Sequence, residues 1–204
     1  MSHLFKRNQH LSLRALGSNS SLLVIGLGWR NKRKPGLLNR LRGKHYHSDL
    51  DLSCVLYDSA DEKLDTVWYA QLQSKCGGIR HKGDETVGAI NTDNETILFD
   101  LNQIDSDTKT LFFVVSTFTG RQFAHIEDAY WRLYDPALQR EIGRFHFSGH
   151  QKVNAKIVLR LQKAVNDDGL TIWQATAIDQ PATGKNIQEV LPEIRDLLDQ
   201  NPAR

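Results

Sequence analysis

The chain has 204 residues, of which 40% are hydrophobic and 25% charged, and its formal net charge is +2. That length and apolar content permit a sizeable core, and a single domain over residues 1–204 is expected. No segment reaches the roughly 18 consecutive apolar residues of a membrane helix, and the N-terminus lacks the apolar stretch of a signal peptide, so a cytoplasmic protein without a membrane span is expected.

In chain order, Leu22 to Leu27 is a short continuous apolar run, the pattern of a strand covered on both faces. Arg30 to His47 follows as a basic loop, with a Pro35-Gly36 break marking a turn. Leu52, Cys54 and Leu56 then alternate with other residues, as do Ile97, Phe99 and Leu101, and Ile157, Leu159 and Leu161. Leu111 to Val115 is a second continuous run, and Asp135-Pro136, Ser148-Gly149 and Asp167-Asp168-Gly169 supply turns. The period changes only at the end, where Ile194, Leu197 and Leu198 share a helical face and Pro192 suits a first helical turn. These patterns predict an all-β, two-sheet sandwich with short peripheral helices, including a C-terminal helix near 192–199 that Asn201-Pro202 ends.

Charge is distributed unevenly. Residues 1–47 hold ten Lys or Arg and no acid, whereas residues 48–204 hold sixteen basic and twenty-four acidic residues. Arg30, Lys32, Arg33, Lys34, Arg40, Arg42 and Lys44 make the loop at 30–47 a candidate for phosphate, nucleic acid or an acidic protein. The same loop serves equally as a partner for the chain's own acidic loop. With only Trp29 and Tyr46 at its edges, it offers no stacking platform for single strands.

Two segments concentrate oxygen donors. Gly83 to Glu95 carries Asp84, Glu85, Asn91, Asp93, Asn94 and Glu95, and in His47 to Ser53 the pair Asp49 and Asp51 alternates with Leu50 and Leu52. On a strand both of those carboxylates project from one face. Calcium takes six to eight oxygens, so two elements that converge can share one ion. A solvated acidic loop is the commoner explanation of such clusters, and the EF-hand pattern fails, since counting from Asp84 puts Ala89 at position 6.

Other chemistries find less support. Cys54 reads as core filling and Cys76 as part of a turn, with no spacing suited to zinc. After Gly26-Leu27-Gly28, Asn31 occupies the third glycine position of a dinucleotide fingerprint, and no phosphate-binding lysine loop or nucleophile elbow is present. His125, Glu127 and Asp128 fit a turn at a sheet edge better than an acid–base pair, and a non-enzymatic protein is expected.

The motifs GLGW at Gly26 to Trp29, DLDLS at Asp49 to Ser53 and GDETVGAINTDNE at Gly83 to Glu95 resemble the hallmarks of the TerD-type tellurium-resistance and stress-response proteins of bacteria. Leu4 to Leu13, Leu111 to Phe118, Asp128 to Asp135 and Glu141 to Phe147 extend the resemblance over nearly the whole chain. It implies a calcium-binding β-sandwich linked to tellurite and other stress, with Asp49, Asp51, Asp84, Asn91, Asp93, Asn94 and Glu95 as candidate ligands and other stress-response or tellurite-resistance proteins as partners.

Arg30, His47, Asn91 and Asn94 depart from the resemblance, because that family usually carries Asp at those places. Arginine offers no acceptor, and asparagine offers a neutral oxygen in place of a charged one. Near 4 Å, the Arg30 charge would oppose a divalent ion by several kcal/mol at an effective dielectric near 20, on the order needed to abolish a subsite. One weakly held ion is expected. The alternative is a metal-degenerate scaffold that uses its basic arm on an anionic partner.

Overall fold

The computed structural model describes residues 2–31, 49–83, 93–117, 123, 126–147 and 153–199. The alternating segments form strands β1 (His3–Leu4), β2 (His10–Ser12), β3 (Leu22–Asn31), β4 (Asp51–Tyr57), β5 (Lys63–Val67) and β6 (Ile79–His81). The later segments give β7 (Glu95–Asp100), β8 (Thr110–Ser116), β9 (Ile126–Asp135), β10 (Arg140–Phe147), β11 (Ala155–Val165), β12 (Thr171–Ala182) and the helix α1 (Ile187–Asp199). They assemble into two six-stranded sheets, one in the order β1-β10-β9-β3-β7-β6 and the other β2-β12-β11-β8-β4-β5. Only β1 on β10 is a parallel pair among these.

Successive strand residues face opposite ways, so every second apolar residue points between the sheets. From the first sheet these are Leu23, Ile25, Leu27, Ile97, Phe99, Trp131 and Leu133, and from the second Leu52, Cys54, Leu56, Leu111, Phe113, Val115, Leu159 and Leu161. All are fully buried or nearly so. Phe99 meets Phe113 across the interior at 5.5 Å between ring centroids, and Trp131 stacks on Phe145 at 6.0 Å. Cys54 fills this core, and burial pushes its thiol well above the usual range.

The two continuous apolar runs turn out differently. In β8, Phe112 and Val114 face outward into a second core with Val55, Tyr57, Ile157 and Ile178, roofed by Ile187, Val190, Ile194 and Leu198 of α1. β8 is therefore covered on both faces, as its sequence implied. In β3, Leu22 is 40% exposed, and Val24 is buried only in a small outer cluster with Tyr134 and Leu98. No described helix covers that face.

Helix α1 begins at Ile187, five residues before the expected start near 192. The start is set by Asn186, whose Oδ1 accepts the N–H groups of Gln188 (2.9 Å) and Glu189 (3.2 Å). Glu189 reaches back to accept the Lys185 N–H at 2.9 Å and the Asn186 amide at 3.0 Å, a reciprocal cap. Pro192 is inside the helix, on its exposed side. The basic loop from Lys32 to His47, the turn at Ser148-Gly149 and Asn201-Pro202 lie outside the described residues.

Candidate metal site

At one end of the sandwich, β7 of the first sheet and β4 of the second begin side by side, and Glu95 links them. Its Oε2 accepts the Leu52 N–H at 2.5 Å, which anchors a buried carboxylate in the gap between the sheets, one peptide from Asp51. His81 approaches the same oxygen through Nε2 at 3.5 Å. The Gly83 N–H donates to His81 Nδ1 at 2.8 Å, and that bond assigns the neutral ring's proton to Nε2, facing Glu95. Asp51 is half-buried at the first position of β4, and Asp49 lies exposed just before it.

Asn94 and Asp93 behave otherwise. The chain bends at Asn94, whose Oδ1 accepts the Trp29 N–H at 2.9 Å while its own N–H donates to the Leu27 carbonyl at 2.8 Å. The bend sends Asp93 over the outer face of the first sheet, away from Glu95. There its Oδ1 accepts the Tyr130 hydroxyl at 3.0 Å, and both oxygens accept Arg132 Nε at 3.0 Å, with Arg132 Nη2 3.0 Å from Oδ2. Burial raises the carboxyl of Asp93 above its ordinary value, against the opposing pull of the Arg132 charge and these hydrogen bonds.

Gly26 and Gly28 make this arrangement sterically possible. A Cβ on Gly26 would lie 2.0 Å from Asp93 Oδ2, and one on Gly28 would lie 2.3 Å from the Tyr130 ring. The glycines of GLGW thus leave space for a carboxylate and a phenol on the sheet surface. Arg132 then continues to Glu141 at 3.5 Å, and Glu141 takes two hydrogen bonds from Arg144 Nε and one from its Nη2. Burial opposes it, but the hydrogen bonds from Arg144 and Ser2 hold the Glu141 carboxyl below its usual range. The Arg144 guanidinium lies 4.0 Å above the Tyr130 ring and closes the network.

Of the residues singled out by sequence, Glu95 is therefore placed at the sheet–sheet opening, with Asp51 at the start of β4 and Asp49 just before it, whereas Asn94 is bonded to the Trp29 N–H and Asp93 to Arg132. Asp84, Glu85 and Asn91 lie outside the described residues, as do Lys32, Arg33, Lys34, Arg40, Arg42 and Lys44; Arg30 is exposed near the end of β3. Among the described residues no three His, Cys, Asp or Glu side chains gather closely enough to hold an ion. His81, Tyr130 and Arg132 escaped the sequence reading. No spacing pointed to them, because each reaches the site through strand register, with Gly26 opposite Arg132 and Gly28 opposite Tyr130.

Comparison with known proteins identifies the family. The model of the TerD domain matches residues 1–191. The chain belongs to the TerD domain family. It is 33% identical to the tellurium resistance protein TerZ of Serratia marcescens, over 92% of this chain and 94% of that one. It is 26% identical to the stress response protein SCP2 of Bacillus subtilis (strain 168), over 69% and 75% of the two chains. The TerD-type fold is also seen in a solved homologue of the telluride resistance protein TerD from Streptomyces coelicolor A3(2), with a TM-score of 0.59, 13% identity, and coverage of 82% and 93%. No described helix of this TerD-family chain is long and apolar enough to cross a membrane.

Proposed function

We propose that this TerD-family chain is a calcium-binding stress-response protein of the bacterial cytoplasm, associated with tellurite resistance, that acts by binding and not by catalysis. One observation carries the metal reading: the Glu95 carboxylate is fixed by the Leu52 N–H in the gap between the sheets, beside Asp51. Oxygen donors from two rigid strand ends suit a hard cation. Asp49, Asp51, Asn94 and Glu95 are the ligands proposed among the described residues, with Asp84 and Asn91 as further donors from the loop. Asp93 is given the role of anchoring Arg132, since both its oxygens are engaged.

Titration calorimetry tests this reading. Ca2+ is expected to bind with micromolar or weaker affinity and Mg2+ hardly at all, because the mixed acid and amide donors suit a flexible shell better than a strict octahedron. Glu95→Gln should weaken Ca2+ binding at least tenfold. Replacing Arg30, His47, Asn91 and Asn94 together by Asp should strengthen it by orders of magnitude while lowering the melting temperature in chelator. A parent protein whose melting temperature ignores millimolar Ca2+ would remove the metal reading.

The Asp93–Arg132 pair favours a second reading, because it takes one carboxylate from any ion. In that reading the chain is a metal-degenerate scaffold whose basic arm meets an anionic partner. Salt-dependent retention on heparin, lost when Lys32, Arg33 and Lys34 are changed to Gln, would support it, and indifference to those changes would reject it.

A further inference from the structure

Among the described residues, the outer face of the second sheet is only partly roofed. Helix α1 covers its apolar half, and beyond Phe112 the face becomes polar. In one cross-strand row His10, Thr176 and Arg160 follow one another toward Phe112, and in the next row Gln174, Gln162 and Thr110 do the same toward Tyr57. His10 Nδ1 and Thr176 Oγ1 lie 2.9 Å apart.

Arg160 stands out in this strip. It is half-buried between the core residues Leu159 and Leu161, and its Nε is buried with no hydrogen-bond partner. Burial pulls its guanidinium below the usual range, and no charged group among the described residues acts on it. The other half-buried or buried arginines of the sheets are bound within the chain, Arg132 to Asp93, Arg144 to Glu141 and Arg140 to the Gly17 carbonyl. Close by, Thr110 is 1% exposed and its Oγ1 also lacks a partner. A partly desolvated cation and a buried hydroxyl, neither with a hydrogen-bond partner for its buried atom among the described residues, are costly unless something completes them. A guanidinium is completed best by a planar or tetrahedral oxyanion that accepts two parallel N–H bonds.

We infer that Arg160, with Thr110 and the flanking Gln162, Gln174 and Thr176, forms a binding site for a small oxyanion of the phosphate class on the outer face of the second sheet. The guanidinium supplies charge and a two-pronged grip, and the hydroxyls and amides supply further donors. This site is separate from the Glu95 opening, since it is on the outer face of the second sheet whereas Glu95 lies between the sheets, and it needs no metal.

The test uses the full chain in chelator, with sodium phosphate exchanged for sodium chloride at constant ionic strength. Calorimetry and the melting temperature should both show saturable phosphate binding. Arg160→Met should abolish that response yet melt no lower than the parent in chloride, because it removes a charge that no described residue compensates. Arg160→Lys keeps the charge without the fork and should bind at least tenfold more weakly, and Thr110→Val several-fold more weakly. Arg80→Gln, an exposed arginine of the first sheet, should respond as the parent does. The inference fails if phosphate and chloride act alike on the parent, if Arg160→Met keeps the phosphate response, or if that variant melts clearly lower in chloride, which would reveal an internal partner.

Discussion

The outer faces of the two sheets are finished by different chemistry. On the second sheet, Ile187, Val190, Ile194 and Leu198 of α1 lie on Val55, Phe112, Val114 and Ile157, an apolar seal that tolerates small shifts. On the first sheet, Asp93, Arg132, Glu141, Arg144 and Tyr130 form a partly buried ionic network above glycines that have no side chains to offer. The apolar seal is stabilised by area removed from water and is forgiving of geometry. The ionic face depends on every partner being present, since a buried charge left alone is far costlier than a buried methyl group lost.

The largest effect is therefore expected on the ionic face. Arg132→Met leaves the Asp93 carboxylate buried without its cation, and the unfolding free energy should fall by about 3–5 kcal/mol in urea titrations at pH 7. Adding Asp93→Asn should recover part of the loss. The pH dependence has a defined sign. The folded Asp93 carboxyl is already raised by burial, and Arg132 is the chief influence holding it down, so the variant raises it further. A raised carboxyl contributes stability that is fully present below its unfolded value near 3.9 and is lost as pH rises through the folded value. The deficit of Arg132→Met should thus shrink between pH 7 and pH 5. A deficit that is constant over that range would mean that Asp93 is not the group left stranded.

The apolar seal is tested by Ile194→Ala. Ile194 is fully buried against the second core, and its truncation should cost about 2–5 kcal/mol, with no dependence on pH between 5 and 7. Hydrogen exchange should quicken first in α1, since this core is separate from the one between the sheets. A pH-dependent loss here, or exchange that quickens first in β3 and β9, would erase the contrast between the faces.

Much of this was legible in the sequence. Period-two patterns in β4 and β7 marked the residues that enter the core, and Leu111 to Val115 announced a strand with both faces covered; in β11 the bulge between Ile157 and Leu159 turns Ile157 outward into the second core, so that only Leu159 and Leu161 of the alternating set face inward. The oxygen-rich segments were legible as chemistry, and Glu95 is bonded to the Leu52 N–H, one residue after Asp51. The fate of Asp93 was not legible, because its partner Arg132 is 39 residues away and is chosen by the register of β3 on β9. The helix was misplaced because Pro192 drew the start toward itself, whereas the cap at Asn186 with Glu189 carried the true signal.

That misplacement makes Pro192 informative. In the second turn of the helix it removes the N–H that would bond to the Gln188 carbonyl, and its exposed ring is not part of the second core. Pro192→Ala should stabilise the chain by about 1–3 kcal/mol, below the full propensity difference of about 3 because the position is near the helix start. Thermal melts of the single variant and of its combination with Ile194→Ala should show the gain in the first and only part of it in the second. A loss of stability would mean that a kink at Pro192 is needed to seat α1 on the sheet.

The smallest expected effect is at the cap itself. Asn186 Oδ1 satisfies two N–H groups that the first helical turn cannot bond internally, and its amide holds Glu189 in place. Asn186→Ala should cost about 1 kcal/mol, and Asn186→Asp should be nearly neutral toward the helix, since the carboxylate accepts the same two bonds and favours the positive end of the helix dipole. Repulsion from Glu189, which now loses the amide donor, offsets part of that gain. Equal losses for both variants in urea would show that the amide's grip on Glu189, and not the acceptor at the cap, holds the start of the helix that seals the second sheet.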